Sequence, residues 1–213
     1  MRFLVILLLV FIYTGASAQK TFTYSDKTFI FKILIIKSKD NRPDNDECTA
    51  STISIYRKSD MKLMQTISPP ENYFPCFMSL DEIFFLEDIN FDGLTDFRLM
   101  THLPAAPNVP FYYWIYDPKK QQFQQDTTLE VITSPDIDHK HKIITSSWRG
   151  GWGDYGCSTY KYIKGKITLI KEYESVKDDN NHHETIKETT KKLVNGIMKL
   201  VESKTEVIID EKY

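Results

Sequence analysis

The chain has 213 residues, with 27 Lys and Arg against 29 Asp and Glu, a formal net charge of −2 and an aromatic content of 13%. So even a balance excludes the strongly basic face that selects nucleic acid or an anionic membrane. The length suits one domain with a real hydrophobic core, and a second domain is not required.

The chain opens on Arg2 and an apolar run from Phe3 to Tyr13, too short to cross a bilayer comfortably, followed by Ala16-Ser17-Ala18. A basic residue, a short apolar stretch and a small-x-small site predict a signal peptide over residues 1–18, cleaved before Gln19. Residues 19–213 are then a single β-rich domain in the bacterial periplasm or outside the cell. No later stretch is apolar for long enough to insert in a membrane. The predicted cleavage takes away Arg2 and no acid, leaving a charge of −3.

From residue 19 onward, apolar residues recur mostly with the period of two that marks half-buried strands, and turn residues bound each run. Phe29–Ile36 is nearly all apolar, as a central strand is. Thr52–Tyr56 and Leu63–Ile67 flank a Lys58-Ser59-Asp60 turn. Cys48, Cys76 and Cys157 are odd in number in a compartment where disulfides persist, so one bridge and one thiol are expected. Three pairings are open; Cys48 to Cys76 is favoured because one hairpin between them brings its feet together.

Farther along, the aromatic run Phe111–Tyr116 and Gln122–Gln124 enclose an Asp117-Pro118-Lys119-Lys120 turn. Ser158–Ile163 and Lys166–Ile170 enclose Lys164-Gly165. Lys192–Val194 and Ile197–Val201 enclose Asn195-Gly196, a strong hairpin signal that is preferred to a competing helix over Thr185–Val201. Polar irregular pieces are expected at Lys39–Glu47 and Lys177–His183. The fold class is therefore all-β, an antiparallel hairpin meander of propeller-like or sandwich form.

Asp88-Ile89-Asn90-Phe91-Asp92-Gly93-Leu94-Thr95-Asp96 carries oxygen side chains at loop positions one, three, five and nine, with glycine at six. That spacing wraps a short backbone around a hard cation, so Asp88, Asn90, Asp92 and Asp96 with the Leu94 carbonyl are the expected ligands of a structural calcium ion. Position twelve is Leu99, which cannot ligate, and Glu82–Leu86 and Phe97–Met100 read as strands. The loop is thus strand-flanked and not a helix-loop-helix hand. The alternative is an Asx-rich turn without metal.

Two other segments carry chemistry. His139 and His141 alternate beside Asp136 and Asp138 and on one strand would share a face, as a zinc or copper site requires; histidines beside a turn are the commoner reading. His182-His183 reads as part of a solvated loop. Ser146–Gly156 contains Trp148, Arg149, Trp152, Asp154 and Tyr155 among four glycines. These residue types dominate binding hot spots, so the segment is a candidate contact loop for a protein or a glycan, with a loop whose tryptophans cap the core as the equal alternative. No nucleophile motif, zinc-hydrolase motif or reason to pair two acids is present, so a non-catalytic role is expected.

The string Asp88–Leu99, followed by Phe111–Pro118 and Phe123, resembles a family of exported bacterial proteins that includes the periplasmic immunity protein inhibiting a lysozyme-like toxin of a type IV killing system. The similarity spans residues 81–173, and the calcium string itself is similar to FG-GAP and VCBS repeats of propeller proteins. In this chain, Pro104, Pro107 and Pro110 stand where the family has a glycine-rich connection. The resemblance implies a calcium-stabilised β protein that binds, and inhibits, a peptidoglycan hydrolase. A calcium-dependent surface or carbohydrate-binding module is the rival.

Overall fold

The computed structural model describes residues 19–38, 46–105, 107–180 and 183–208. The expected signal peptide, most of the Lys39–Glu47 segment and His182 lie outside them. Fifteen strands form three antiparallel sheets among the described residues.

The first sheet holds β1 (Gln19–Ser25), β2 (Phe29–Lys37), β3 (Glu47–Arg57), β4 (Leu63–Ile67) and the short β5 (Phe74–Pro75). β2 shows why it folds as a strand. Phe29, Phe31, Ile33 and Ile35 are buried on one side while the residues between them are less so, the alternation a pleat imposes. β5 pairs with β3 at Cys48–Phe74, and the Cys48–Cys76 disulfide closes the same corner with a Cα separation of 5.0 Å. A bridge over a loop of this size stabilises by roughly 2 to 4 kcal/mol. Asn72, 4% exposed, accepts from the Ala50 N–H at 2.8 Å and donates to the Ala50 carbonyl at 3.1 Å, so one side chain completes β3 where no strand does.

The second sheet runs β6 (Phe84–Glu87), β7 (Asp96–Met100), β8 (Phe111–Asp117), β9 (Gln122–Gln125). All five residues of β7 are buried, so this sheet is covered on both faces. On one face Phe97 and Phe123 meet Phe31 of the first sheet at 5.6 Å each, and Phe97 stacks on Trp114 at 4.8 Å. Each such pair adds about 0.5 to 1.5 kcal/mol to the area it buries. On the other face Arg98 is held by Glu87 at 3.0 Å and lies between Phe85 and Phe111. The Tyr113 hydroxyl donates to the Ile132 carbonyl there at 2.7 Å.

The third sheet runs β10 (Pro135–Asp138), β11 (Ile143–Arg149), β12 (Tyr155–Ile163), β13 (Lys166–Asn180), β14 (His183–Val194) and β15 (Ile197–Ile208). Ile144, with half-buried Tyr160, Tyr162 and Ile167, joins it to the common core. The sheets pack face to face and close into no barrel, so of the two expected forms the molecule is sandwich-like.

At the tips of two hairpins Lys164-Gly165 and Asn195-Gly196 both have positive φ at both residues, the mirror turn that matches the twist of the flanking strands. The helix weighed against the last hairpin is absent. Lys177–His183, expected to be irregular, is corrected: Lys177–Asn180 continue β13 and His183 opens β14, in register from Lys177↔Ile186 to Asn180↔His183. Polar residues on both faces hid this strand, because it lacks the alternation of apolar and polar residues that marks a half-buried one. β1, β5 and β10 had no expectation, and Ser146–Arg149 of β11 were expected in the Trp and Gly loop. Leu80–Glu82 forms a 3-10 turn, so the strand expected from Glu82 starts at Phe84.

Candidate functional site

The Asp88–Asp96 loop joins β6 to β7, strand-flanked as expected. Its polar side chains hold its own backbone. Asp88 accepts from the N–H groups of Asp92 and Gly93 at 3.0 and 2.9 Å; Asn90 Oδ1 accepts from the same Asp92 N–H at 3.0 Å. Asn90 Nδ2 donates to Asp92, whose other oxygen accepts from the Leu94 N–H at 2.8 Å. Gly93 sits at φ 88°, a left-handed conformation that a side chain disfavours.

Asp96 differs from its three companions. It is fully buried at the start of β7, and one oxygen accepts from Tyr116 at 2.8 Å, the other from Ile89 at 3.0 Å and Asn90 at 3.3 Å. Burial pushes its carboxyl up to about 7 against the pull of those three donors. Asp96 thereby ties the loop to its own first residues and to β8.

Phe91 at φ 63° turns its ring outward from the loop onto Tyr162 and His139, at 6.4 and 5.9 Å between centroids. The Tyr162 hydroxyl is buried and has no hydrogen-bond partner, and burial first, then the charges of Asp126, Asp96 and Asp92, raises its pKa. Sequence reasoning missed this residue, which reaches the loop from β12 and has no local signature.

The donor set suits a hard cation, because Asp88, Asn90 and Asp92 present only oxygen and amide groups, with no thiolate or imidazole. A carboxylate has about four lone-pair sites, so the N–H bonds at Asp88 and Asp92 leave acceptor capacity. The orphaned Tyr162 hydroxyl beside the acids is a further polar group that such a site could employ. Among the described residues, however, no three His, Cys, Asp or Glu side chains gather tightly enough to hold a metal ion. Any ion therefore relies on amide and backbone oxygen as well as on Asp88 and Asp92.

His139 and His141 fall in the turn after β10, not on a strand, which corrects their expected common face. His141 pairs with Asp138 at 2.6 Å, and that hydrogen bond holds the Asp138 carboxyl below its ordinary range. His139 lies against Phe91.

The Trp and Gly segment is also more ordered than a loop. Trp148 and Arg149 end β11, Tyr155 begins β12, and the irregular part is residues 150–154. Asp154 accepts from the Lys177 N–H at 2.8 Å, the Gly153 carbonyl accepts from the Ser175 hydroxyl at 2.9 Å, and Lys177 Nζ lies 4.9 Å over the Trp152 ring. β13 therefore fixes this loop from beneath. Asn108, unmarked in sequence, clamps the Arg149 backbone by both its N–H and its carbonyl, at 2.8 and 3.1 Å.

What remains outward is aromatic. Trp152 is 61% and Tyr155 43% exposed. Trp148, Arg149, Tyr155 and Tyr173 line an open cleft of about 540 Å³ with Pro107 and the free Cys157. The Tyr173 hydroxyl donates to Glu188 at 2.8 Å and lies 3.4 Å from that of Tyr155.

No helix among the described residues is long and apolar enough to cross a membrane. No family model and no curated protein matches the chain. The solved structure of a Xanthomonas type IV secretion system related protein is similar to it with a TM-score of 0.60 at 15% identity, covering 87% of this chain and 98% of that one. At that identity the likeness establishes a shared fold: this chain has the fold of the Xanthomonas protein over nearly the whole of both.

Proposed function

We propose that the protein is a non-catalytic binding protein of the periplasm or cell exterior, stabilised by calcium, whose Trp148–Tyr155 surface docks on a protein target. A peptidoglycan hydrolase of the lysozyme type is the most concrete target. The observation that carries this reading is the aromatic surface: Trp152 on the loop and Tyr155 at the start of β12 stay exposed on a segment that β13 and Asn108 hold in place. Rigid aromatic anchors lose little entropy on binding and dominate hot spots. The fold shared with a secretion-system related protein and the Cys48–Cys76 disulfide of an oxidising compartment support it.

In this reading calcium neutralises the acids of the loop, and Asp88, Asn90, Asp92, Asp96 and the Leu94 carbonyl are its ligands. Asp96 keeps β6, β7 and β8 in place around it. The loop has a structural part and performs no chemistry.

The hydrogen-bonded group of Tyr155, Tyr173 and Glu188, together with the exposed ring of Trp152, favours a second reading, a carbohydrate-binding module in which rings stack on sugar faces. Assay of lysozyme-type hydrolysis in the presence of the protein separates the two. Inhibition that disappears in Trp152→Ala and Tyr155→Ala supports the inhibitor. Retention on a peptidoglycan column with undiminished hydrolysis supports the module and refutes inhibition.

A further inference from the structure

The third sheet ends at β15, and the outer edge of that strand pairs with no other strand among the described residues. Ile197, Leu200, Val201 and Val207 on it are 64, 59, 48 and 57% exposed. An open edge presents a row of unpaired N–H and C=O groups and is a template for one more strand. Its side chains bear on which strand fits.

Opposite β14, the register slips at Thr190/Lys191, which leaves Val201 as the extra residue of a bulge. Beyond the bulge, residues 202–208 run without interruption, from Glu202↔Thr190 to Ile208↔Glu184. Alternation along this stretch places Glu202, Lys204 and Glu206 on one face and Ser203, Thr205 and Val207 on the other. Lys204 already pairs with Glu206 of its own strand, and both side chains are 60% exposed.

Two such edges can meet antiparallel about a two-fold axis normal to the sheet, which brings like faces together. With the axis at Thr205, Lys204 of each copy faces Glu206 of the other, twice, and Ser203 faces Val207. A shift of the axis to Lys204 sets Lys204 against itself and Glu202 against Glu206, so like charges oppose. A further shift to Ser203 restores attraction but draws the bulged Val201 into the new ladder. Of these three registers, charge and bulge together leave the one centred on Thr205.

We propose that β15 is a homodimerisation edge, along which two copies of the chain pair antiparallel through residues 202–208 centred on Thr205. This inference stands apart from the Trp148–Tyr155 surface. The contact is short, below the roughly 1,000 Å² of a stable interface, so the dimer is a reversible one.

Sedimentation velocity over a concentration series tests it, on the protein carrying Cys157→Ser so that an intermolecular disulfide cannot stand in for the contact. The expected result is a monomer–dimer equilibrium. Lys204→Glu or Glu206→Lys alone weakens it about tenfold, two opposed charge pairs being lost at once, and the double variant K204E/E206K restores it with the pairs exchanged. All three variants keep the parent's melting temperature. A protein that is monomeric at every concentration overturns the proposal. So does an equilibrium unmoved by the single reversals, or a double variant as weak as either single one.

Discussion

The two short loops at Asp88–Asp96 and at residues 150–154 each join neighbouring antiparallel strands, yet they direct their side chains oppositely. In the first, Asp88, Asn90, Asp92 and Asp96 turn back onto the loop's own N–H groups and onto β8. In the second, Asp154 and the Gly153 carbonyl fasten the backbone to β13, and the large side chains stay outside. Polar groups fix shape in both. Only the second has apolar surface left over for a partner, so the first should govern stability and the second binding.

The hardest blow to that division is at Asp96. Asp96→Ala removes the acceptor of three N–H groups at a fully buried position. Each orphaned group costs about 1 to 3 kcal/mol, so the loss is at least about 3 kcal/mol. For a protein of this size that lowers the melting temperature by roughly 6 to 12 °C, read by calorimetry. A melt within a degree of the parent would mean that Asp96 does not brace the loop.

Calcium comes next. An ion that binds only the folded state, at a hundred times its dissociation constant, stabilises by about 2.7 kcal/mol. Calcium should therefore raise the melting temperature of chelator-treated protein by several degrees, and Asp92→Ala should abolish the increment. Identical melts with and without calcium refute the structural ion, and the hydrogen bonds of the loop then suffice alone.

Beside the second loop, on β12, the sharpest structural test is Gly156→Ala. A Cβ at Gly156 would lie 2.4 Å from Trp148 Nε1 and 2.7 Å from the Tyr173 carbonyl oxygen. The indole can move, whereas the carbonyl belongs to β13, so a cost of about 1 to 3 kcal/mol is expected from overpacking. Because the indole lines the cleft, partner binding should fall in the same variant. Retained affinity together with the lowered melt would detach Trp148 from the contact surface.

How far each loop could be read from sequence follows from how local its interactions are. The Asp88–Asp96 spacing was legible because most of its contacts lie within five residues of one another, and Asn195-Gly196 because a turn is set by its own two residues. Phe29–Ile36 and Leu63–Ile67 were legible because one buried face writes a period of two. Lys177–Asn180 was not, since both faces are polar. Nor was the grip of Asn108 on Arg149, of Asn72 on Ala50, or the contact of Tyr162 with Phe91 of the Asp88–Asp96 loop, because those partners meet only after the sheets stack. The same reason made Trp148 and Arg149 look like loop residues: glycines nearby signal a turn, and nothing local reports that β12 pairs with them.

The smallest stability effect is expected where the binding effect is largest. Trp152 is 61% exposed, and its ring touches the protein through Lys177 Nζ at 4.9 Å. An exposed cation–π contact contributes about 0.5 to 1 kcal/mol, and the loop backbone keeps its bonds from Asp154 and Gly153 in Trp152→Ala. The melting temperature should thus fall by no more than about 4 °C. Loss of an aromatic anchor at the centre of an interface, by contrast, costs about 2 kcal/mol or more of binding, a drop of at least about thirtyfold in affinity. Titration calorimetry against a lysozyme-type hydrolase, the proposed target, set beside the melt of the same variant, reads both quantities. A variant that loses stability and keeps affinity would assign Trp152 to the fold and remove the functional half of the contrast between the two loops.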